Sequence, residues 1–226
     1  MATLLPGPGE PGVLTMDNVF YILQRKSDPW GGYGDMLMHG MAGRTSIDAG
    51  EILELQRAGP FVPPISQPGL PGIVVTDDFR KQIEQSSLKG ITFRPVQKTR
   101  IVNIAWHDGL RDADEPLRYP KEGEPENYIL RLPHHRGVAE QIGVLWELAP
   151  RQVCYTTRGP RIVQSNNEIT LVTEGWDGSD VFLAEGVLYC YVSGRARDWL
   201  LAHVPEYVDF ESAVTSPTKP PDQERR

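Results

Sequence analysis

Two segments of this 226-residue chain, far apart in sequence, follow one pattern: an apolar strand, a hydroxyl residue, an amphipathic helix and a second strand. The first runs Ile73-Val74-Val75-Thr76, then DDFRKQIEQSSLKG, then Ile91-Thr92-Phe93. The second runs Cys190-Tyr191-Val192-Ser193, then GRARDWLLAHVPEY, then Val208-Asp209-Phe210. From Thr76 to Phe93 and from Ser193 to Phe210 is 17 positions in each case. Thr76 and Ser193 stand where a hydroxyl accepts a free N–H of the first helical turn, a cap worth about 1 kcal/mol. Asp77 and Asp78 complement the positive helix end. Phe79 and Ile83 in the first helix, and Ala196, Trp199, Leu200 and Val204 in the second, recur at three- and four-residue spacing, which gives each helix one apolar face. Gly90 is expected to end the first helix as a left-handed cap, and Pro205 to end the second. Two one-sided helices between strands need a sheet to cover. The shared length fits either an internal duplication or convergent strand–helix–strand economy.

The remaining segments add mostly strands. Asn18–Leu23 opens as one, Ile52–Leu55 is a short second, and Arg100–Trp106 alternates as a third. Tyr128–Leu132 and Ile142–Trp146 read as further strands, and Arg161–Ser165 and Glu168–Val172 flank Asn166-Asn167 as a hairpin. The Pro-rich stretch GPFVPPISQPGLPG reads as an extended connector. This pattern predicts an α+β protein, a mixed or largely antiparallel sheet with a few packed helices. One domain is expected over 17–213, with lobes at 17–107 and 127–213, between a Pro/Gly-rich start at 1–16 and a polar tail at 214–226.

Charge bounds the partners. The formal net charge is −7 and the pI near 5.3, which disfavours nucleic acid and leaves a basic protein partner open. No apolar run approaches the roughly 20 residues of a membrane span, and MATLLPGPGEPG lacks the basic start of a secretory signal, so the expected compartment is the cytoplasm. Cys154 and Cys190 lie alone in apolar strand-like surroundings and read as buried thiols.

Catalytic signatures are sparse. The glycines of GGYGDMLMHGMAGR do not fit a phosphate loop, and Met36, Met38 and Met41 fit core filling or a pliable contact surface. His134-His135 are adjacent in an extended segment and so face opposite ways, a poor start for one metal site. His107-Asp108 has the form of a base and its orienter. No metal or cofactor is expected from these residues. The segment 108–126 stands out for charge: seven carboxylates oppose Arg111, Arg118 and Lys121, a local net charge of −4.

The order of landmarks carries a resemblance. Gly59-Pro60-Phe61 through Pro63-Pro64-Ile65, Val74-Val75-Thr76, Gly90 to Val96, Glu124 to Ile129 and the closing Val192-Ser193…Trp199-Leu200 unit together resemble bacterial polymorphic-toxin immunity proteins, over about residues 18–213. Within that group the chain is most similar to an uncharacterised-domain family encoded beside secreted or contact-delivered toxins. The resemblance implies a non-enzymatic antitoxin that binds a cognate effector domain, with no catalytic residues to carry over. On local charge and aromatic content, the expected contact residues are Trp106, Asp108, Asp112, Asp114, Glu115, Tyr119, Glu122, Glu124 and Tyr128, with Tyr33 and Met38 as a second area. The rival readings are a small-molecule- or metal-binding enzyme using His107, His134 or His135, and a secretion-system adaptor.

Overall fold

The computed structural model describes residues 19–27, 30–44, 52–107, 110–114, 125–158 and 169–218. Among them are thirteen strands and five helices. The strands are β1 (Phe20–Arg25), β2 (Met41–Arg44), β3 (Glu54–Gly59), β4 (Ile65–Gly69), β5 (Gly72–Thr76), β6 (Ile91–Pro95), β7 (Gln97–Asn103), β8 (Leu145–Arg158), β9 (Ile169–Val172), β10 (Val181–Glu185), β11 (Cys190–Ser193), β12 (Val208–Ser212) and β13 (Val214–Ser216). The helices are α1 (Gly31–His39), α2 (Asp77–Gln85), α3 (Pro125–Arg131), α4 (Arg136–Ile142) and α5 (Gly194–His203). The fold is α+β, as expected, with parallel and antiparallel pairs in both sheets.

The two similar segments form one motif built twice. In each, the helix connects two strands that do not touch, because an antiparallel third strand lies between them. β8 separates β5 from β6, and β1 separates β11 from β12. The register repeats as well. Thr76 pairs with Leu145 and Ser193 with Phe20; Phe93 pairs with Leu148 and Phe210 with Leu23. Thr76 Oγ1 accepts Phe79 N at 3.3 Å and Ser193 Oγ accepts Ala196 N at 3.2 Å, with cap torsions of φ −70° and ψ 160° or 162°. Even a surface contact recurs: the Arg80 guanidinium lies 4.6 Å over Trp146 and the Arg197 guanidinium 4.7 Å over Tyr21. Each arginine stands on its helix one position after the first inward-facing residue, over an aromatic of the inserted strand.

Most of the large sheet curls into a ring. β1 pairs with β11, β11 with β10, β10 with β8, β8 with β9 and β9 with β13. Ala213 alone separates β13 from β12, which pairs back onto β1. Strand alternation sorts the side chains into two layers. Phe20, Ile22, Cys154, Leu171, Phe182 and Tyr191 fill the inside, where Phe20 meets Phe182 edge to face at 5.4 Å. Leu23, Leu148, Val181, Cys190 and Val192 point outward and are covered by Phe79 and Ile83 of α2 and Ala196 and Leu200 of α5. β8 bridges the two arrangements: Leu145–Pro150 lies between β5 and β6, and the following half pairs with β10 and β9.

A three-stranded sheet, β2-β3-β7, forms the second layer system. Val102 faces α1 and α3, while its neighbour Ile101 faces Val138 and Ala139 of α4. Leu53 and Leu55 reach across to Val74 and Leu145 of the large sheet, which joins the two sheets through one apolar cluster. The large sheet draws strands from both halves of the chain, so its core does not divide at residues 107–127.

Several local expectations differ from this structure. Tyr128–Arg131 of the expected strand Tyr128–Leu132 belongs to helix α3, and Leu132 follows its end; Pro125 at the first turn, Glu126 beside it and Arg131 at the far end are helix-start and helix-end chemistry, and the short apolar run fits either period. Ile142 ends helix α4, and the strand begins at Leu145. The Pro-rich stretch is partly strand, since β4 is an outer strand where Pro68 forfeits no needed donor. Helix α2 stops at Gln85, five residues short of Gly90. Gly90 nonetheless has φ +84°, and a Cβ there would sit 2.5 Å from Ser179 Cβ, so it is required by close approach to β10. Of the expected hairpin, β9 pairs with Tyr155–Arg158, while Arg161–Ser165 and Asn166-Asn167 lie outside the described residues.

The approach at Gly90 is held by Asp180, whose side chain is 5% exposed. Its carboxylate accepts Ser193 Oγ at 2.7 Å, Arg195 Nε at 3.0 Å, Arg195 Nη2, and Lys89 N at 2.7 Å. Burial alone would raise its pKa, but the Arg195, Ser193 and Lys89 bonds outweigh that and hold it below the usual carboxylate value. Asp180→Ala is expected to lower unfolding free energy in urea by about 2–4 kcal/mol, because Lys89 N and the Ser193 cap lose their acceptor. A folded pKa below the unfolded one means this contribution is present above about pH 4 and lost below it, so the variant's deficit shrinks in acid. An equal deficit at pH 7 and at pH 3 would refute the assignment.

Candidate partner-binding surface

The acidic segment is visible at Leu110–Asp114, a tight turn closed by Leu110 N to His107 O and Ala113 N to Leu110 O, both 3.0 Å. Asp112 and Asp114 are exposed on it and make no ion pair among the described residues. Two contacts fix the turn to the body. Trp30 Nε1, just before α1, donates to Ala113 O at 2.9 Å, and Arg111 Nη1 donates to Glu206 O at 2.9 Å while its guanidinium lies 5.7 Å from the Tyr207 ring centroid. Glu206 is itself exposed, so Asp112, Asp114 and Glu206 crown a turn whose backbone is anchored to both layer systems. Asp108, Glu115, Tyr119, Glu122 and Glu124 lie outside the described residues, as does the side chain of Tyr128 on α3.

Three expected contact residues are corrected by burial. Trp106, Tyr33 and Met38 are 6%, 5% and 1% exposed, and all belong to one cluster with Met36, Leu37 and Ile129. Phe61 meets the Trp106 ring edge to face at 5.0 Å. A partner cannot reach these side chains without opening the core. For Trp106, alternation with Val102 and Ile104 was the available signal for an inward direction.

The histidines are spent mainly on backbone. His134 Nδ1 accepts Ile101 N and His135 Nδ1 accepts Val138 N, each at 3.1 Å, so His135 is the N-cap of α4. His107 is exposed beside the acidic turn. His39 is buried and accepts Gln67 N at 3.3 Å; burial, reinforced by Arg25, Arg57 and Arg111, pushes its pKa down to about 3. Arg57 is wholly buried and donates to the Met38, Ala58 and Phe61 carbonyls, and burial lowers its pKa to about 9. Burial likewise pushes the Cys154 and Cys190 thiols up to about 11 and 12, which disfavours the reactive thiolate. Among the described residues no three His, Cys, Asp or Glu side chains are grouped to hold a metal. No helix there is long and apolar enough to cross a membrane.

Two cavities of about 490 Å³ each open on the large sheet, one beside Ile22, Gln67, Leu70 and Tyr189, the other beside Pro71, Leu148, Pro150 and Leu188. A third, of about 600 Å³, lies between the start of α2 and the end of α4.

His39 gives the core a defined acid response. Its folded pKa lies below the unfolded value of 6.5, so the unfolded chain takes the proton first. The stability tied to neutral His39 is complete above pH 6.5 and is lost toward pH 3 by about 1.4 kcal/mol per pH unit. His39→Gln is expected to flatten the fall in thermal midpoint over that window by close to one proton; an unchanged slope would mean that His39 takes its proton without unfolding.

No protein-family model, curated protein or solved structure matches the chain.

Proposed function

We propose that this protein is an immunity protein, a cytoplasmic antitoxin that binds a cognate effector toxin through the acidic turn and the segment that follows it. The observation that carries the proposal is the anchored turn at Leu110–Asp114. It presents Asp112 and Asp114, which make no ion pair among the described residues, next to Glu206, on a backbone held by Trp30 and Arg111. A pre-organised backbone lowers the ordering cost of binding. Unpaired carboxylates on an acidic molecule speed encounter with a basic partner and discriminate against acidic ones. The landmark resemblance along residues 18–213 points to the same class of partner. In this reading the protein blocks the toxin by occupancy and performs no chemistry of its own.

The test is to look for a toxin-like open reading frame encoded beside this one and to co-express the two. Growth is rescued and the two proteins co-purify. Asp112→Lys, Asp114→Lys and Glu115→Lys together weaken the complex by at least about tenfold and steepen growth loss, while circular dichroism stays unchanged. Raising ionic strength from about 0.05 to 0.5 M slows association of the unmodified pair. Rescue and affinity unaffected by the triple reversal place binding on another surface; absence of both rescue and complex with the unmodified protein rejects the immunity reading itself.

A further inference from the structure

The first of the 490 Å³ cavities draws its lining from four separate segments: Ile22, Leu23 and Arg25 of β1, Asp35 of α1, Gln67 of β4 and Tyr189 of the β10–β11 loop. Two of its polar contributors are already engaged with the chain. Arg25 pairs with Asp35 at 2.7 Å, and Gln24 Nε2 donates to Glu211 Oε2 at 2.7 Å. Gln67 differs. Its backbone N–H goes to His39 Nδ1 at 3.3 Å, which ties this point of β4 to the end of α1. Its side-chain amide makes no hydrogen bond among the described residues, although the residue is only 9% exposed.

A carboxamide withdrawn from bulk water with no partner from the chain is unfavourable, because its carbonyl and amino group forfeit hydrogen bonds that nothing replaces. Gln67 is not sealed among apolar side chains, however. It lines the cavity, and the cavity is where a partner reaches it. Ile65, two residues earlier on β4, belongs to the same apolar cluster as Leu23, and Leu23 lines the cavity as well. Strand alternation therefore turns Gln67 to that side of β4. A nine-tenths buried amide with both of its hydrogen-bonding functions unused stands on a hollow whose volume lies within the roughly 300–1,000 Å³ usual for a ligand.

We propose that this cavity binds a small neutral cyclic amide, a lactam or a heterocycle with a lactam edge, through the Gln67 carboxamide. A primary carboxamide offers a carbonyl acceptor and an amino donor side by side. One group satisfies both at once only if it presents a donor and an acceptor side by side in turn, as the cis amide of a ring does. A trans peptide fails this test, since its N–H and C=O point opposite ways. The same two-bond pairing is what lets a Gln side chain read a base edge. Ile22, Leu23 and Leu70 supply apolar wall and Tyr189 an aromatic one, which suits the faces of a ring. The charges of the lining, Arg25 and Asp35, answer each other, so an ionic ligand finds no unmatched counter-charge in it. The proposal does not rest on the immunity reading.

Titration of the purified full chain with oxindole, a lactam fused to an apolar ring, tests it by calorimetry and ligand-observed NMR. Oxindole binds with a Kd of about 1 mM or tighter, as expected for so small a ligand. N-methyloxindole, whose donor is blocked, and N-methylacetamide, a trans amide, bind at least about tenfold more weakly. Gln67→Leu removes the preference for oxindole over N-methyloxindole while the thermal midpoint holds, because an amide without a partner is exchanged for an apolar group of similar size. Val144→Ser, at an exposed position on the third cavity, leaves that preference intact. Should Gln67→Leu fail to fold, Gln67→Met takes its place, and the preference shown by the unmodified protein still decides. Equal binding of the two oxindoles, an unchanged preference in the Gln67 variant, or its loss in Val144→Ser overturns the proposal. So does an absence of oxindole binding at about 10 mM, which leaves the amide to water alone.

Discussion

The buried carboxylate of Asp180 is where the two halves of the scaffold meet. Its side chain receives the Ser193 hydroxyl and Arg195 guanidinium from the start of α5 and the Lys89 amide from the turn after α2. Its own backbone completes the junction: Asp180 N donates to Lys89 O and Asp180 O accepts Ser193 N, both at 2.9 Å. A carboxylate withdrawn from water is tolerated only with such a complement of donors. Placing it there fixes the position of β10, the entry of α5 and the path from α2 to β6 in one step. The steric half of the same constraint is Gly90, whose missing side chain lets that turn lie against Ser179. Neither residue would achieve this alone.

What the sequence made legible follows from the range of the forces involved. Hydroxyl caps and one-sided helices are local and appeared where expected, while the strand read at Arg100–Trp106 lies three residues earlier, at Gln97–Asn103. The ring of strands was illegible because its closure depends on partners as distant as Phe20 and Ser193, and on one residue, Ala213, joining two strands of different allegiance. The strand β8 was read in fragments because it changes neighbours near Pro150 and exposes different faces along its length. Helix α4 begins with a histidine cap followed by Arg-Gly, a weak start signal. At the candidate surface, charge could be read directly, since Asp112 and Asp114 are exposed in a turn. Aromatic content could not: Trp106 and Tyr33 carry the same apolar area whether they anchor a partner or a core, and only the fold decides between them.

Strongly perturbed groups often mark active sites, but here their surroundings point elsewhere. His39 and Arg57 are shifted mainly by burial, and the bonds they make are to backbone groups of α1, β3, β4 and the segment after β3. His134 and His135 accept backbone amides and so fix the approach to α4. Ionisable chemistry inside this molecule is used to secure chain crossings. Among the exposed groups are carboxylates on the turn between β7 and α3 and leucines on those between β4 and β5 and between β10 and β11. A rigid sheet system that displays such turns is the kind of scaffold on which binding and catalytic groups are both commonly carried.

The two repeated units reveal how that rigidity is shared. In the first, the acid that orders the helix start is its own residue: Asp77 accepts Trp146 Nε1 at 2.8 Å and Arg80 Nε at 3.1 Å, and Lys81, with Trp146 and Arg80, brings its carboxyl down to about 2. In the second unit the matching position is Gly194, which offers no side chain. The carboxylate comes from outside, from Asp180, and it arrives already bonded to the first unit's turn. The first unit therefore supplies the carboxylate at its helix start itself, with Trp146 of β8 as one donor, whereas the second acquires its complement of bonds only once β10 and the Lys89 turn are in place. That asymmetry makes two similar motifs into one cooperative sheet: the end of the chain cannot adopt its native α5 without reporting on whether the earlier unit has formed.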